Sequence, residues 1–329
     1  MSDGQIRHQE DRQLAAGHLP CHEIAYLLAA VFLDPRSNYR GRRPALSEEQ
    51  ISQILEPHNL NPDTPLLSRW WTWFQGVFLH GDWGRSPLGE SVAQEVTHRA
   101  LVSAQLLLLA TILSVIIGVG LGVYTAARQY KFADRFWQGV SIITMNTHVV
   151  VASIVVVSAG LFLNKVSGKR LFYVTGAANP DVHGFFPKII DFGQHLILPT
   201  ISLVIISYAG YHMMQRTLLL DNLSADYVRT ARAKGLTRSQ AIRKHALRTS
   251  IIPVATSVAF SVPGIFTGAI MTEKIFAWNG MGQYFVETIS RNDVHGATAV
   301  AAFGAVMIAI SAVLADVVVV ALDPRVRVS

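Results

Sequence analysis

The sequence predicts an all-α polytopic membrane protein, a bundle with five clear transmembrane helices, and three observations point to this fold class. Half of the 329 residues are apolar and only 15% are charged, well below the roughly 25% of soluble domains. The mean hydropathy is positive. Basic residues collect in short stretches between long apolar runs. Together these features indicate a chain that folds in a lipid bilayer.

Five segments are long enough to cross a bilayer, which takes about 20 apolar residues. The first carries no charge before Ala127, and the last carries none between Ala297 and Ala315. A soluble helix of that length without a charged face would be unusual. The predicted spans are 101–126, 137–163, 192–219, 251–275 and 297–321.

The loops between these spans set their orientation, because cytoplasmic loops carry excess lysine and arginine. The loop 221–250 holds seven basic and two acidic residues, and the short loop around Arg128 is also basic. Both loops are therefore expected in the cytoplasm, together with the tail 323–329. The loops 164–191 and 276–296 are then expected on the outer side.

The same orientation places the segment 35–100 outside the membrane. Upstream of it, the only apolar run is Ile24–Leu33, about half the length of a span. The segment 1–34 is thus an atypical N-terminus with a partial first helix, which indicates a first helix that is truncated or altered; the alternative is a short or tilted helix. Within 35–100, the aromatic cluster 70–74 suits either the membrane–water interface or a small packed helix.

Composition also argues against several other classes of protein. The net charge of +6 fits basic cytoplasmic loops better than nucleic-acid binding, because no base-reading motif accompanies it. Cys21 is the single cysteine, and the spacing of cysteine and histidine residues indicates no metal site. No cofactor is expected.

The basic loop carries local signals for two short helices. Gly235 is placed to end the first, because glycine adopts the left-handed conformation at little cost. Thr237 and Gln240 form a capping-box pattern that begins the second. We therefore expect helices over 225–234 and 238–250. Small residues around Ala231 would let another protein approach the backbone; an ordinary positive-inside loop would need only charge.

Residues 227–236 read Tyr-Val-Arg-Thr-Ala-Arg-Ala-Lys-Gly-Leu, and residues 245–253 read His-Ala-Leu-Arg followed by four residues and proline. This loop resembles the cytoplasmic loop of membrane-spanning subunits of bacterial ABC importers, in the dipeptide, oligopeptide and nickel branch. The more general form of that loop pattern has Glu, Ile and Pro at positions where this chain differs.

The resemblance extends over about residues 24–329. The stretch 81–86 is similar to the Gly-Asp-x-Gly-x-Ser segment of the family, 273–282 to its Glu-x-Ile-Phe segment, and 321–327 to its C-terminus. It implies the B-type permease of the pair, with six helices of which the first is altered here. It also implies that 101–322 forms the transmembrane domain, with 221–250 as the coupling loop.

The resemblance further implies the partners of the chain. They are a second permease subunit in a heterodimer, two ATPase subunits or domains, an extracytoplasmic substrate-binding protein, a peptide substrate and the lipid bilayer. The chain itself has no Gly-x-x-x-x-Gly-Lys-Ser/Thr phosphate loop, so we expect no ATPase site and no catalytic residue. The residues expected to couple to the ATPase are Asp226, Arg229, Thr230, Ala231, Arg232, Gly235, Leu236, His245 and Leu247.

Polar residues interrupt the second span at Asn146, Thr147 and His148. Because polar groups in a span often face a cavity, they are candidates for lining the transport pathway, or they bond a neighbouring helix instead. Gly118, Gly120 and Gly122 suggest close helix packing. The alternative function is an ion-coupled secondary transporter of a small solute, or a membrane-bound enzyme. The sequence leaves open whether the substrate is a dipeptide, an oligopeptide or a nickel chelate.

Overall fold

The computed structural model describes residues 23–41 and 43–322, apart from the side chain of Thr267. Cys21, the rest of the segment before residue 23 and the tail 323–329 lie outside the described residues. Within them, the chain is mainly α-helical, as predicted, and the longest connection without helical structure covers 168–184. The helices before the first long span are α1 (Glu23–Phe32), α2 (Glu48–Leu55) and α3 (Leu66–Gln75).

Five helices of the described chain are long and apolar enough to cross a membrane. They lie where the sequence predicts spans, but their bounds differ, because a helix continues into polar residues beyond the bilayer core while a hydropathy pattern detects only the apolar part. The spanning helices are Val92–Ala127, Val149–Ser167, Phe185–Leu223, Arg238–Phe266 and Val294–Leu322. We name the first three α4, α6 and α7, and the last α14.

The prediction of one span over 137–163 is wrong. The structure has α5 (Phe132–Met145), a break, and then α6. The Asn146 side-chain amide donates to the Ile142 carbonyl oxygen at 2.7 Å, and the His148 ring accepts from the Val150 amide at 3.3 Å. Side chains that bond nearby backbone groups compete with the helical pattern, and here they end one helix and begin the next.

The predicted span 251–275 is also divided differently. The basic loop first forms a separate helix, α8 (Asp226–Ala233). The spanning helix then begins within the loop and runs through α9 (Arg238–Ala241), α10 (Leu247–Phe260) and α11 (Val262–Thr267). Pro253 lies inside α10. A glycine with positive φ, Gly268, follows α11 and separates it from α12 (Ile270–Ile275).

The chain divides into two compact units. The first contains the described residues up to Ser103, with Phe266–Ile270 and Asn279–Ile310. It includes α13 (Met281–Ser290) and a core in which the Tyr26 and Trp73 rings stack with centroids 4.8 Å apart. Trp73 is buried whereas Trp71 is half exposed, so the aromatic cluster belongs to a packed helix that also presents aromatic surface.

The second unit contains Ala104–Ile265, Met271–Trp278 and the described residues from Ser311 onward. Its central helix is α7, which packs against α5, α6 and α10. A methyl group at Gly118 would lie 2.6 Å from the Tyr208 carbonyl oxygen, and one at Gly122 would lie 2.7 Å from the Gln215 Cβ atom. These two glycines therefore permit the close approach of α4 and α7, whereas Gly120 faces open space.

Candidate functional site

The basic loop contains the predicted turn at Gly235. Its φ angle is +94°, and the turn closes α8 with two backbone hydrogen bonds, from the Gly235 amide to the Arg232 carbonyl oxygen and from the Leu236 amide to the Ala231 carbonyl oxygen. This pair of bonds is the Schellman arrangement that ends helices at a left-handed residue. The helix covers Asp226–Ala233, slightly shorter than the predicted 225–234.

The predicted capping box begins the next helix. The Thr237 hydroxyl accepts from the Gln240 amide at 3.3 Å, and the Gln240 side-chain oxygen accepts from the Thr237 amide at 2.9 Å. The predicted helix 238–250 is present as the first part of the spanning helix Arg238–Phe266, and it contains a π-helical turn over Ile242–Ala246 between α9 and α10. Local capping signals define where the helix begins, but they do not specify a wider turn inside it.

One side of the loop is packed against its own chain. Val228 and Ala231 of α8 join Ala126 at the end of α4 and Leu219 near the end of α7 in one hydrophobic cluster, which Ala241, Ile242 and Ala246 complete. Ala231 is 6% exposed. Its small side chain thus lets α8 lie close to the ends of the membrane helices. From the sequence, we expected it to let another protein approach the backbone.

The opposite side of the loop is open. Among the residues predicted to couple to an ATPase, Asp226, Arg229, Thr230, Arg232 and Gly235 are exposed, while Leu236, His245 and Leu247 are half-buried. The Arg229 guanidinium lies 3.8 Å from the Asp226 carboxylate, and their side chains are 73% and 97% exposed. Such a pair is screened by water and adds little stability. The exposed side of α8 therefore presents the Arg229 and Arg232 side chains to solvent.

Behind the loop, α7 carries buried polar side chains that bond to its neighbours. The two His212 ring nitrogens lie 3.0 Å from the Thr125 hydroxyl of α4 and 2.6 Å from the Ser141 hydroxyl of α5. One turn further on, Gln215 donates to the Ser250 hydroxyl of α10 at 2.9 Å. These bonds connect α7 to three other helices.

An ion pair completes this polar network. Arg216 of α7 donates to both carboxylate oxygens of Asp134 at 2.7 and 2.9 Å. Asp134 also accepts from the Tyr130 amide at 2.9 Å. Hydrogen bonds from Arg216 are the main reason that the pKa of Asp134 lies below its ordinary value, despite the burial of the carboxylate. The pair fixes α5 and the turn before it to α7.

Comparison with known proteins shows to which family the chain belongs. Residues 118–328, which include the loop and the network behind it, match the family model of binding-protein-dependent transport system inner membrane components. The chain belongs to this family. It is therefore a multi-pass membrane subunit of a binding-protein-dependent transport system, as the resemblance in the sequence implied.

Three similar permeases come from different bacteria. The oligopeptide transport system permease protein OppB of Mycobacterium tuberculosis is 37% identical over 307 residues, which are 93% of this chain and 94% of that protein. The oligopeptide permease AppB of Bacillus subtilis is 31% identical over 86% of this chain and 87% of that protein. The dipeptide permease DppB of Escherichia coli is 31% identical over 89% and 90% of the two chains.

The polar network around α7 was not predicted from the sequence. Its signal is the spacing of His212, Gln215 and Arg216, which recur three and four residues apart in an otherwise apolar span and so lie on neighbouring faces of one helix. The three candidate pathway residues lie at the break between α5 and α6. Asn146 and His148 are exposed, and Thr147 is half-buried and donates to the Ile143 carbonyl oxygen at 2.8 Å.

Proposed function

We propose that the chain is the B-type permease subunit of an ATP-driven peptide importer. The names of the relatives describe oligopeptide and dipeptide transport, and identities of 31–37% over most of both chains support the same substrate class here. The observation that carries the proposal is the loop 221–250, because it combines a packed apolar inner side with an exposed basic outer side.

The loop is positioned to transmit force from a partner into the membrane. Its exposed side carries Arg229 and Arg232, which suit a groove with acidic and polar groups on an ATPase. Its inner side packs on the ends of α4 and α7, so α8 moves together with these two helices. ATP binding that draws two ATPase subunits together would then shift the permease between two arrangements.

The remaining partners follow from the orientation of the spans. With the basic loops in the cytoplasm, 35–100 forms an extracytoplasmic segment that a substrate-binding protein can reach, and 101–322 forms the transmembrane domain. A second permease supplies the other half of the pathway. ATP hydrolysis belongs to the ATPase subunits or domains, and the permease contributes no catalytic group.

Transport in proteoliposomes tests this function. The chain is co-expressed with the neighbouring transport genes, and the purified complex is reconstituted with its binding protein and radiolabelled di- and oligopeptides. We expect peptide accumulation that requires ATP on the loop side of the membrane and persists without an ion gradient. Accumulation that follows a proton or sodium gradient and ignores ATP would refute the proposal and favour a secondary transporter.

A further inference from the structure

An open groove lies between α7 and the C-terminal end of α10 in the second unit. Its volume is about 610 Å³. None of its lining residues is charged, and several carry hydroxyl groups. The lining residues are Ser207, Gly210, Tyr211, Met214, Ser257, Phe260 and Ser261.

The groove differs from the other exposed faces of the same unit. The exposed large side chains of α4 and α6 in the bilayer region are mainly aliphatic, as on Ile112, Ile116, Ile154 and Val155, and such faces suit lipid tails. A face of serine, glycine and tyrosine does not, because polar groups in hydrocarbon are unfavourable unless they are bonded. The groove is therefore expected to face water, a polar ligand, or both.

The hydroxyl groups of the groove support a ligand. On the same helices, the Ser202, Thr217 and Thr256 hydroxyls donate to backbone carbonyl oxygens four residues earlier, at 3.0 Å in each case. In the described chain, the Ser207, Ser257 and Tyr211 hydroxyls form no such bond. Ser261 alone among the groove hydroxyls is bonded, to the Val258 carbonyl oxygen at 2.7 Å.

The groove is also connected to the coupling loop. Its two walls are the helices on either side of that loop, because α7 ends at Leu223 and α10 begins at Leu247. The hydrogen bond between Gln215 and Ser250 joins the walls between the groove and the loop. A displacement of the loop therefore reaches both walls of the groove together.

We propose that this groove is the surface of the permease that contacts the peptide main chain during passage; the inference rests on the proposed function. Peptide amides and carbonyls are common to all sequences, and the three free hydroxyls donate to or accept from them. Met214 and Phe260 supply adaptable apolar contact for varied side chains. The lack of charge in the lining makes the surface indifferent to the charge of the peptide side chains.

Cysteine labelling tests the proposal in the reconstituted complex. Cys21 is the only cysteine of the chain, so Cys21→Ala gives a cysteine-free parent subunit into which Ser207→Cys or Ser257→Cys is introduced. Ile116→Cys is the control, because Ile116 is 63% exposed and the contact of Gly118 with Tyr208 and Tyr211 places it at a similar depth. The probe is a charged, membrane-impermeant maleimide.

We expect both groove cysteines to react at least tenfold faster than the Ile116→Cys control. Transported peptide, added with its binding protein and ATP, should slow their labelling severalfold. Labelling as slow as that of the control would show that lipid or the second permease covers the groove, and labelling insensitive to peptide would show a water-filled surface without substrate contact. Either result overturns the inference.

Uptake by the Cys21→Ala parent separates the two proposals. If the parent accumulates peptide with ATP and the groove cysteines behave like the control, only the groove assignment fails. If neither the parent nor the unsubstituted complex accumulates peptide, the proposed function fails, and the groove assignment fails with it. Ser261→Cys provides a further reporter on the same groove if one of the other variants does not reach the membrane.

Discussion

Gln215 of α7 and Ser250 of α10 are joined by a buried hydrogen bond of 2.9 Å, and neither side chain is accessible to solvent. The bond crosses between the two helices that enclose the basic loop. Because the loop is also packed on α4 and α7, apolar and polar contacts connect it to the surrounding helices. These contacts are what would allow a push on α8 to move the membrane helices.

Ser250→Ala should loosen this connection. It leaves the Gln215 amide buried without its acceptor, which costs about 1–3 kcal/mol. We expect a lower midpoint of thermal unfolding of the complex in detergent. The double variant Gln215→Leu/Ser250→Ala should lose less stability than the sum of the two single variants, because it removes both polar groups. Strictly additive losses would show that the bond does not link the helices.

Asp134→Asn should be more harmful. The Asp134 side chain is almost fully buried, and its carboxylate is the ion-pair partner of Arg216. Removal of one member of a buried pair leaves an uncompensated charge, at a cost of roughly 3–5 kcal/mol. Asp181→Asn, at an exposed position, is the matched control and should change the unfolding midpoint little. Equal effects of both variants would contradict the structural role of the pair.

Gly235→Glu should separate assembly from transport. Open space surrounds the position, so no steric clash opposes the new side chain, but the φ angle of +94° disfavours any L-residue. A non-glycine residue in this conformation costs on the order of 1 kcal/mol. We expect normal membrane insertion and ATP hydrolysis with strongly reduced peptide uptake. Gly120→Ala, also in open space but without positive φ, serves as the control and should transport normally.

The buried carboxyl group of Asp293 leads us to expect that the stability of the first unit depends on pH. Burial raises the pKa of this carboxyl from 3.8 to about 6, although the Gly296 amide donates a hydrogen bond to it. Because its pKa is raised in the folded state, the Asp293 carboxyl group contributes to the stability of the fold below about pH 4. This contribution is lost as the pH rises through about 6. The change is at most about 3 kcal/mol.

Thermal unfolding between pH 5 and pH 7.5 checks this dependence. The stability of the parent relative to Asp293→Asn should fall as the pH rises, since the amide has no proton to lose. The asparagine can still accept the Gly296 hydrogen bond, so the variant tests charge and not capping. A difference between the two proteins that is constant with pH would contradict the assignment.

The features that the sequence predicted correctly are those with local signals. Long apolar runs marked the five spanning helices, and Gly235 and Thr237 marked the turn because each acts on its own neighbouring backbone. The polar residues Asn146–His148 were noted in the sequence, but a helix break there was not predicted, because apolar residues continue on both sides of them. The π-helical turn at Ile242–Ala246 has no equivalent pattern in the sequence.

The contacts between helices could not be predicted in the same way. The burial of Ala231 depends on Ala126 and Leu219, which are far away in the chain. The partners of His212 and Arg216 lie on α4 and α5, so their function as connectors appears only when the helices are packed together. For the same reason, the sequence does not show that the serines of the groove lie together, on α7 and at the end of α10.

The most direct test of coupling through the loop is the ratio of ATP hydrolysed to peptide imported by the reconstituted complex. Arg229→Glu/Arg232→Glu reverses the exposed charges of α8, and Arg135→Glu combined with Lys131→Glu reverses two exposed charges in the other basic loop as a control. We predict that the ratio rises at least tenfold in the first variant and stays near the parent value in the control. An unchanged ratio in the first variant would contradict the account.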